Sequence, residues 1–398
     1  MAVINELQEN TSTILQQHSR LWVEAVSLTN YRNYSALALR ADHRPVILLG
    51  ANGAGKTNLM EAVSLLAPGQ GLRRTAYSDL AKNDGAGDWA VAATLHVDGE
   101  SVQIGTGVQP ESSAHARSGR IVRINGVAQS GSGALADYAE MVWLTPASDG
   151  LFTGAASERR RFLDRLILCF DPSYRTRAGQ FERAMRQRNR LLDHGGSASL
   201  LSGLETIMAE TGVAIAAARV EAVSALRSEM RARQERQSGA LFPWANLKLE
   251  GGLEDALEQN PAVDVEDWYC RQLVAGRERD RAAGRTLLGP HRSDLIVSHG
   301  PKKMLARVCS TGEQKALLIS LVLAHAELSS ARRNNIAPIL LLDEIAAHLD
   351  SARRAALFDD ILRIGSQAWM TGTDYAAFEA LEQRAQFFRV EEGRAAPM

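Results

Sequence analysis

The chain is poor in the features that would mark it as secreted, membrane-spanning or globally basic. It has only three cysteines, Cys169, Cys270 and Cys309, far apart and in no CxxC pair. That spacing argues against a disulfide framework or a cysteine zinc site and fits a reducing compartment. Aromatic residues are 6% of the chain. Forty-five Lys and Arg against 46 Asp and Glu leave a net charge of −1, so any nucleic-acid contact has to rest on a local cluster. No stretch reaches the ~18 uninterrupted apolar residues of a membrane span; the nearest, Ala316 to Leu328, is broken by His325 and Glu327. Residues 1–20 are polar and lack the basic and apolar regions of a secretory leader, so they are expected to be a frayed tail or an extra helix outside the fold. A soluble, cytoplasmic protein is expected.

What is present is a 45% apolar chain of 398 residues, enough to fill two or three domains or one large divided one. It is organised around Gly50-Ala51-Asn52-Gly53-Ala54-Gly55-Lys56-Thr57. The apolar run Pro45 to Leu49 before it reads as a buried strand, and Asn58 to Leu66 after it has helical spacing. Strand, glycine loop and helix in that order are the context of a P-loop. The glycines let backbone N–H groups turn inward around phosphate oxygens, and the helix start adds its positive end. Lys56 is placed to reach the β- and γ-phosphates of ATP, Thr57 to offer its hydroxyl to Mg²⁺, and Asn58 to follow them in the cradle.

Leu21 to Leu28 and Ser35 to Arg40 read as a hairpin around the turn Thr29 to Tyr34. Val91 to Val97, Ser101 to Gly105 and Ile121 to Ile124 follow as strands, marked by the turn dipeptides Asp98-Gly99 and Asn125-Gly126. This is an antiparallel sheet beside the nucleotide strand, and Gln109 to Gly119 is a polar loop. From Ser157 the pattern turns helical: Ser157 to Phe170, Gln180 to Asp193 and Ser199 to Glu235, with His194-Gly195-Gly196 ending one helix. Glu250 to Asp267 reads as an acidic loop and Trp268 to Gly284 as another helix. Short strands return after Gly289-Pro290. The domains expected are an extension at 1–20, one half of an α/β lobe at 21–150, a helical lobe at 151–286 and the second half at 287–398.

Ile339 to Leu342 is an apolar strand ending in Asp343 and Glu344. That shape can carry Asp343 to the phosphates to hold Mg²⁺, with Glu344 as general base for the attacking water. Upstream, Ser310-Thr311-Gly312-Glu313-Gln314 opens a helix and forms a second anion cradle. Ser310, Gly312 and Gln314, then the Asp343-Glu344 strand, then Leu349-Asp350 resemble the signature, Walker B element and D-loop of ABC-type ATPases. The resemblance implies an ATPase head with a mixed sheet, an antiparallel β subdomain and an inserted helical lobe. It also implies that the signature of one copy meets the ATP held by the P-loop of another, so a nucleotide-dependent homodimer is expected; a monomeric P-loop ATPase is the alternative.

Lys56 and Ser310 lie too far apart for a compact transporter domain and too close for an SMC chain with its long coiled coil. Leu28-Thr29-Asn30-Tyr31-Arg32-Asn33-Tyr34, Arg159-Arg160-Arg161-Phe162-Leu163-Asp164 and Gly289-Pro290-His291-Arg292-Ser293-Asp294-Leu295 are similar to segments of the RecF family, in the family's order, over about 21–392. The resemblance implies a DNA-repair ATPase that binds DNA at single-strand gaps and duplex junctions. It further implies cooperation with RecR and RecO in loading RecA, a part in replication and the SOS response, and slow, DNA-dependent ATP hydrolysis. It places Arg32 and Asp350 at the nucleotide. Glu344 stands where the family often has Asp, no Q-loop glutamine is evident near Trp143 to Gly150, and no switch histidine follows Ala368 to Thr371; Thr373 is placed near the γ-phosphate instead. A transporter or ribosome-associated ABC module, and a binding module with a dead site, are the competing classes; the intact Lys56, Thr57, Asp343 and Glu344 speak against the second.

For DNA the helical lobe offers an arginine cluster. Arg159, Arg160, Arg183, Arg186 and Arg190 are its candidate phosphate contacts, the last three spaced to share one helix face. A solvated or dimer-facing helix with internal ion pairs is the alternative reading of the same residues.

Overall fold

The computed structural model describes residues 20–83, 85–109, 119–236, 241–347 and 349–398. The expectations for residues 1–19 and for the loop interior 110–118 lie outside the described residues. Two compact units form: one holds the chain up to Ser148 together with Val322–Met398, the other Asp149–Leu321.

In the first unit the sheet order is Arg394–Pro397, Gln386–Glu391, Val46–Leu49, Ala368–Gly372, Ile339–Leu342, Met141–Leu144. All pairings from Gln386–Glu391 onward are parallel, and the Gln386–Glu391/Arg394–Pro397 hairpin is antiparallel. Val46–Leu49, Ile339–Leu342 and Met141–Leu144 are buried at every position. Such unbroken apolar runs are what a parallel strand covered on both faces requires.

A second, antiparallel sheet in this unit has the order Tyr34–Arg40, Leu21–Tyr31, Trp89–Val97, Glu100–Val108, Ile121–Ile124, Val127–Ala128. Its strands alternate: Trp89, Val91, Ala93 and Leu95 are buried while Ala90 and Ala92 face out. Asp98-Gly99 and Asn125-Gly126 turn with positive φ at both residues, the backbone that tight hairpins need. Gln367, fully buried, ties the two sheets. Its amide accepts from Val23 N (2.9 Å) and donates to Val23 O (3.2 Å), beside a register shift in Leu21–Tyr31, and the Trp369 indole donates to it at 3.0 Å. The side chain thus satisfies both backbone groups of Val23 beside the bulge.

The second unit is mainly helical: Ala156–Leu168, Tyr174–His194, Ala198–Arg236, Gly252–Leu257, Ala262–Ala275 and Arg277–Ala282, with a small sheet of Met304–Leu305, Asp294–His299 and Ala245–Glu250. The stretch read as an acidic loop, Glu250 to Asp267, is largely helical. Glu254, Asp255 and Asp264 lie in first turns, where a carboxylate favours a helix start. This unit runs to Leu321, so residues 287–321, including Ser310 to Gln314, fall in it.

Its interior is held by buried arginines. Arg188, without exposure, donates to Glu205 Oε1 (2.9 Å), Asp280 Oδ2 (2.7 Å), Thr286 Oγ1 (3.0 Å) and Leu273 O (2.7 Å). Helix Ala198–Arg236 is long and apolar enough to cross a membrane by composition. It also carries Glu205 and Arg219 buried among such partners, and so serves as a core helix of this unit.

Candidate nucleotide site and candidate nucleic-acid interface

The loop after Val46–Leu49 is shaped by its glycines. Gly53 and Gly55 take φ of +83° and +112°, and a Cβ on Gly55 would meet Asn33 Nδ2 at 2.5 Å and the Tyr34 hydroxyl at 2.7 Å. Only glycine suits that left-handed position at the start of Lys56–Ser64. A Cβ on Gly53 would meet nothing within 4 Å, so there it is the left-handed backbone, not crowding, that calls for glycine. The Lys56 ammonium donates to Gly50 O (2.7 Å) and Ala51 O (2.8 Å), across the mouth of the loop. Burial lowers its pKa, while the nearby Glu344 and Asp343 carboxylates pull the other way.

Three side chains, from the ends of two strands and from a helix, converge beside it. Thr57 Oγ1 donates to Asp343 Oδ1 at 3.0 Å, and Thr371 Oγ1 donates to the same oxygen at 2.7 Å. Thr371 Oγ1 also accepts from Glu344 N at 2.8 Å. Glu344 takes φ +51°, rare for a residue with a side chain, so the strand ends abruptly and its exposed carboxylate leaves the line of the buried Asp343. A hydroxyl and a carboxylate in contact at a P-loop are a donor set that suits Mg²⁺, which takes one or two protein oxygens and completes its shell with phosphate and water. Among the described residues no group of three or more His, Cys, Asp or Glu could hold a metal alone.

The other sequence-derived residues separate into those near this cluster and those elsewhere. Arg32, at φ +54°, grips Glu61 of the P-loop helix with Nε at 3.0 Å and Nη2 at 3.2 Å, and also donates to Thr75 Oγ1 and Asp79 O. Its fork braces the helix that carries Lys56 and Thr57. Asn58 accepts from Arg73 Nη1 and donates to Asn33 Oδ1, both at 2.8 Å, and Asn33 in turn donates to Ala54 O. Asp350 caps Ser351–Ile364 by accepting from Arg353 N at 2.8 Å. Thr373 is exposed beyond the strand end. The residue that binds Asp343 is Thr371, two positions earlier; its register beside Asp343 follows from the pairing Leu342↔Met370, which the sequence does not display.

In the second unit Ser310 and Glu313 form a reciprocal cap on Thr311–Arg332: Ser310 N donates to Glu313 Oε2 (3.0 Å) and Glu313 N to Ser310 Oγ (3.4 Å). Gln314 is buried and donates to Cys309 O at 2.8 Å. A Cβ on Gly312 would meet nothing within 4 Å.

The arginines divide sharply. Arg159 is turned inward onto Asp294 by two bonds of 2.8 Å and donates to Gly154 O; Arg160 donates to Ser293 O at 2.5 Å. Asp164 takes two bonds from buried Arg219, which also reaches Pro290 O. The stretches 159–164 and 289–295 are therefore wired to each other. Arg159, expected as a DNA contact, has its guanidinium engaged within the chain and little of its side chain exposed. Arg183, Arg186 and Arg190 are exposed along Tyr174–His194; Arg186 lies 3.6 Å from the equally exposed Glu182.

A phosphate-cradling loop, a strand-borne Asp-Glu pair on a mixed sheet and an antiparallel subdomain define the head of an ABC-type P-loop ATPase. The family model of the RecF/RecN/SMC N-terminal domain matches residues 22–395. The chain is 53% identical over 370 residues to the DNA replication and repair protein RecF of Rhizobium johnstonii, covering 93% of this chain and 97% of that one. It superposes with a TM-score of 0.80 on the structure titled "recombination mediator protein RecF-ATP in RecFOR pathway", at 22% identity, covering 95% and 99% of the two chains. A second structure under the same heading, RecF-ATPrS, gives 0.83 at 21% identity and 96% and 99% coverage. The chain belongs to the RecF family.

Proposed function

We propose that the chain is an ATP-dependent DNA-binding protein of recombinational repair and replication restart, working as a dimer that ATP closes and hydrolysis reopens. The observation that carries this is the Thr57–Asp343–Thr371 contact set beside Lys56: the Mg²⁺–triphosphate donors are already brought together by the chain itself. Lys56 neutralises β- and γ-phosphate charge, Thr57 and Asp343 hold the metal, and Glu344 orients and takes the proton of the attacking water. Mg²⁺ supplies charge stabilisation at the phosphates.

The signature half acts on the nucleotide of a second copy. Support comes from Gly312, a glycine in a first helical turn that costs helix stability and that no neighbour among the described residues requires. Close approach by something outside the chain accounts for it. Arg183, Arg186 and Arg190 offer sequence-independent phosphate contacts. Action at single-strand gaps with RecR and RecO to load RecA, and the link to SOS, rest on family membership alone.

The test is sedimentation and ATP turnover with and without gapped duplex. ATP, but not ADP, is expected to convert monomer to dimer, and gapped DNA to raise turnover. A chain that stays monomeric with ATP and whose turnover ignores DNA sinks the proposal.

A further inference from the structure

The reciprocal cap at the signature places a carboxylate where a phosphate is meant to arrive. Glu313 stands one residue from Gly312 and three from Ser310, in the first turn of Thr311–Arg332. A helix start favours one anion there, yet the same positive end is what a phosphate would use. An uncompensated Glu313 would repel an incoming triphosphate. Lys302 answers this charge: its ammonium contacts Glu313 Oε1 while Glu313 Oε2 accepts from Ser310 N. The ammonium, with the Ser310 backbone, holds the Glu313 carboxyl down at about 2, so it is ionised at neutral pH.

The lysine is delivered on a tight turn. Lys302 N donates to His299 Nδ1 (3.3 Å), Lys303 N to Gly300 O (3.2 Å), and Lys303 takes the left-handed φ of +51°. Gly300 itself packs flat on the Trp244 ring, where a Cβ would meet ring atoms at 2.1 Å. Backbone and ring together aim the turn at the signature.

We propose that Lys302 is a positioning residue of the nucleotide-driven dimer, which neutralises Glu313 so that the signature helix start accepts the triphosphate of a second copy. This rests on the in-trans reading above, and the experiment separates the two. Dimer dissociation constants with ATP are measured by sedimentation for the full chain, alongside ATP affinity of the monomer and a thermal melt. Lys302→Ala is expected to weaken the ATP dimer about tenfold at low salt, with a penalty that shrinks as ionic strength rises. Monomer ATP affinity and melting are expected to stay as in the parent. Lys303→Ala, which removes the same charge one residue away, is expected to change the dimer less than about twofold.

The decisive variant is Lys302→Ala/Glu313→Gln. With no carboxylate to neutralise, it is expected to dimerise within about twofold of Glu313→Gln alone. A double variant as weak as the sum of the singles, or a Lys303→Ala as damaging as Lys302→Ala, overturns the charge-balance role. Ser310→Arg decides the underlying reading. If it leaves the ATP dimer intact, the in-trans site and this proposal fall together; if it abolishes the dimer while Lys302→Ala does not weaken it, only this proposal falls.

Discussion

The two ends of the nucleotide machinery are built on opposite terms. At the P-loop the chain satisfies itself: Lys56 is held by loop carbonyls, and Thr57 and Thr371 both bind Asp343. At the signature the cap between Ser310 and Glu313 is complete, but Gly312 faces open space and Val308 nearby is 60% exposed. The first end is equipped to bind nucleotide alone. On the proposed in-trans reading, the second acts only on the nucleotide of another copy. Binding and dimer closure should therefore separate by mutation.

The largest effect should come from the carboxylate at the mouth of the first end. Glu344→Gln is expected to lower turnover by about a thousandfold while ATP binding persists, so that the dimer is trapped; single-turnover kinetics beside sedimentation will show it, and normal turnover removes Glu344 as the base. Lys56→Ala is expected to weaken ATP binding by about a hundredfold, since a charge-assisted contact to phosphate is lost, and with it dimer closure; nucleotide titration of the variant is the check.

Thr371→Val keeps the side-chain shape but removes a bond to Asp343 and one from Glu344 N. A loss of about tenfold in turnover, larger than any change in ATP affinity, is the expected result; equal loss in both would mean Thr371 only supports the fold. Smallest in stability is Gly312→Ala. Replacing a glycine in the first helical turn should raise unfolding free energy by about 0.5–1 kcal/mol in a denaturant titration. The same variant should weaken the ATP dimer. A variant that is both more stable and equally dimeric would erase the contrast between the two ends.

The arginines show why local patterns read well and remote ones do not. Arg159 and Arg183 sit in equally basic sequence. One is locked by two bonds to Asp294, more than a hundred residues on, and the other stands in solvent. Removing a partner from such a partly buried pair destabilises the fold, whereas an exposed one matters little to folding. Nothing near Arg159 in the chain announces Asp294. Helix spacing, by contrast, put Arg183, Arg186 and Arg190 on one face, and they are exposed there. The strands Met141–Leu144, Ala245–Glu250 and Arg394–Pro397 escaped notice because each is short and gains its place from a sheet neighbour.

The residues alone determined the phosphate loop, the strand that ends in Asp343-Glu344, the tight turns and the family. Each depends on chemistry within a few positions: glycine's freedom, the period of a strand, the order of strand, loop and helix. Only the tertiary structure decided that Thr371 bonds Asp343, that Arg32 braces Glu61, and that Arg159 and Arg188 pair with distant carboxylates. Those outcomes depend on which strands become neighbours and on which charges find a partner out of water, and neither is written in the spacing of a chain.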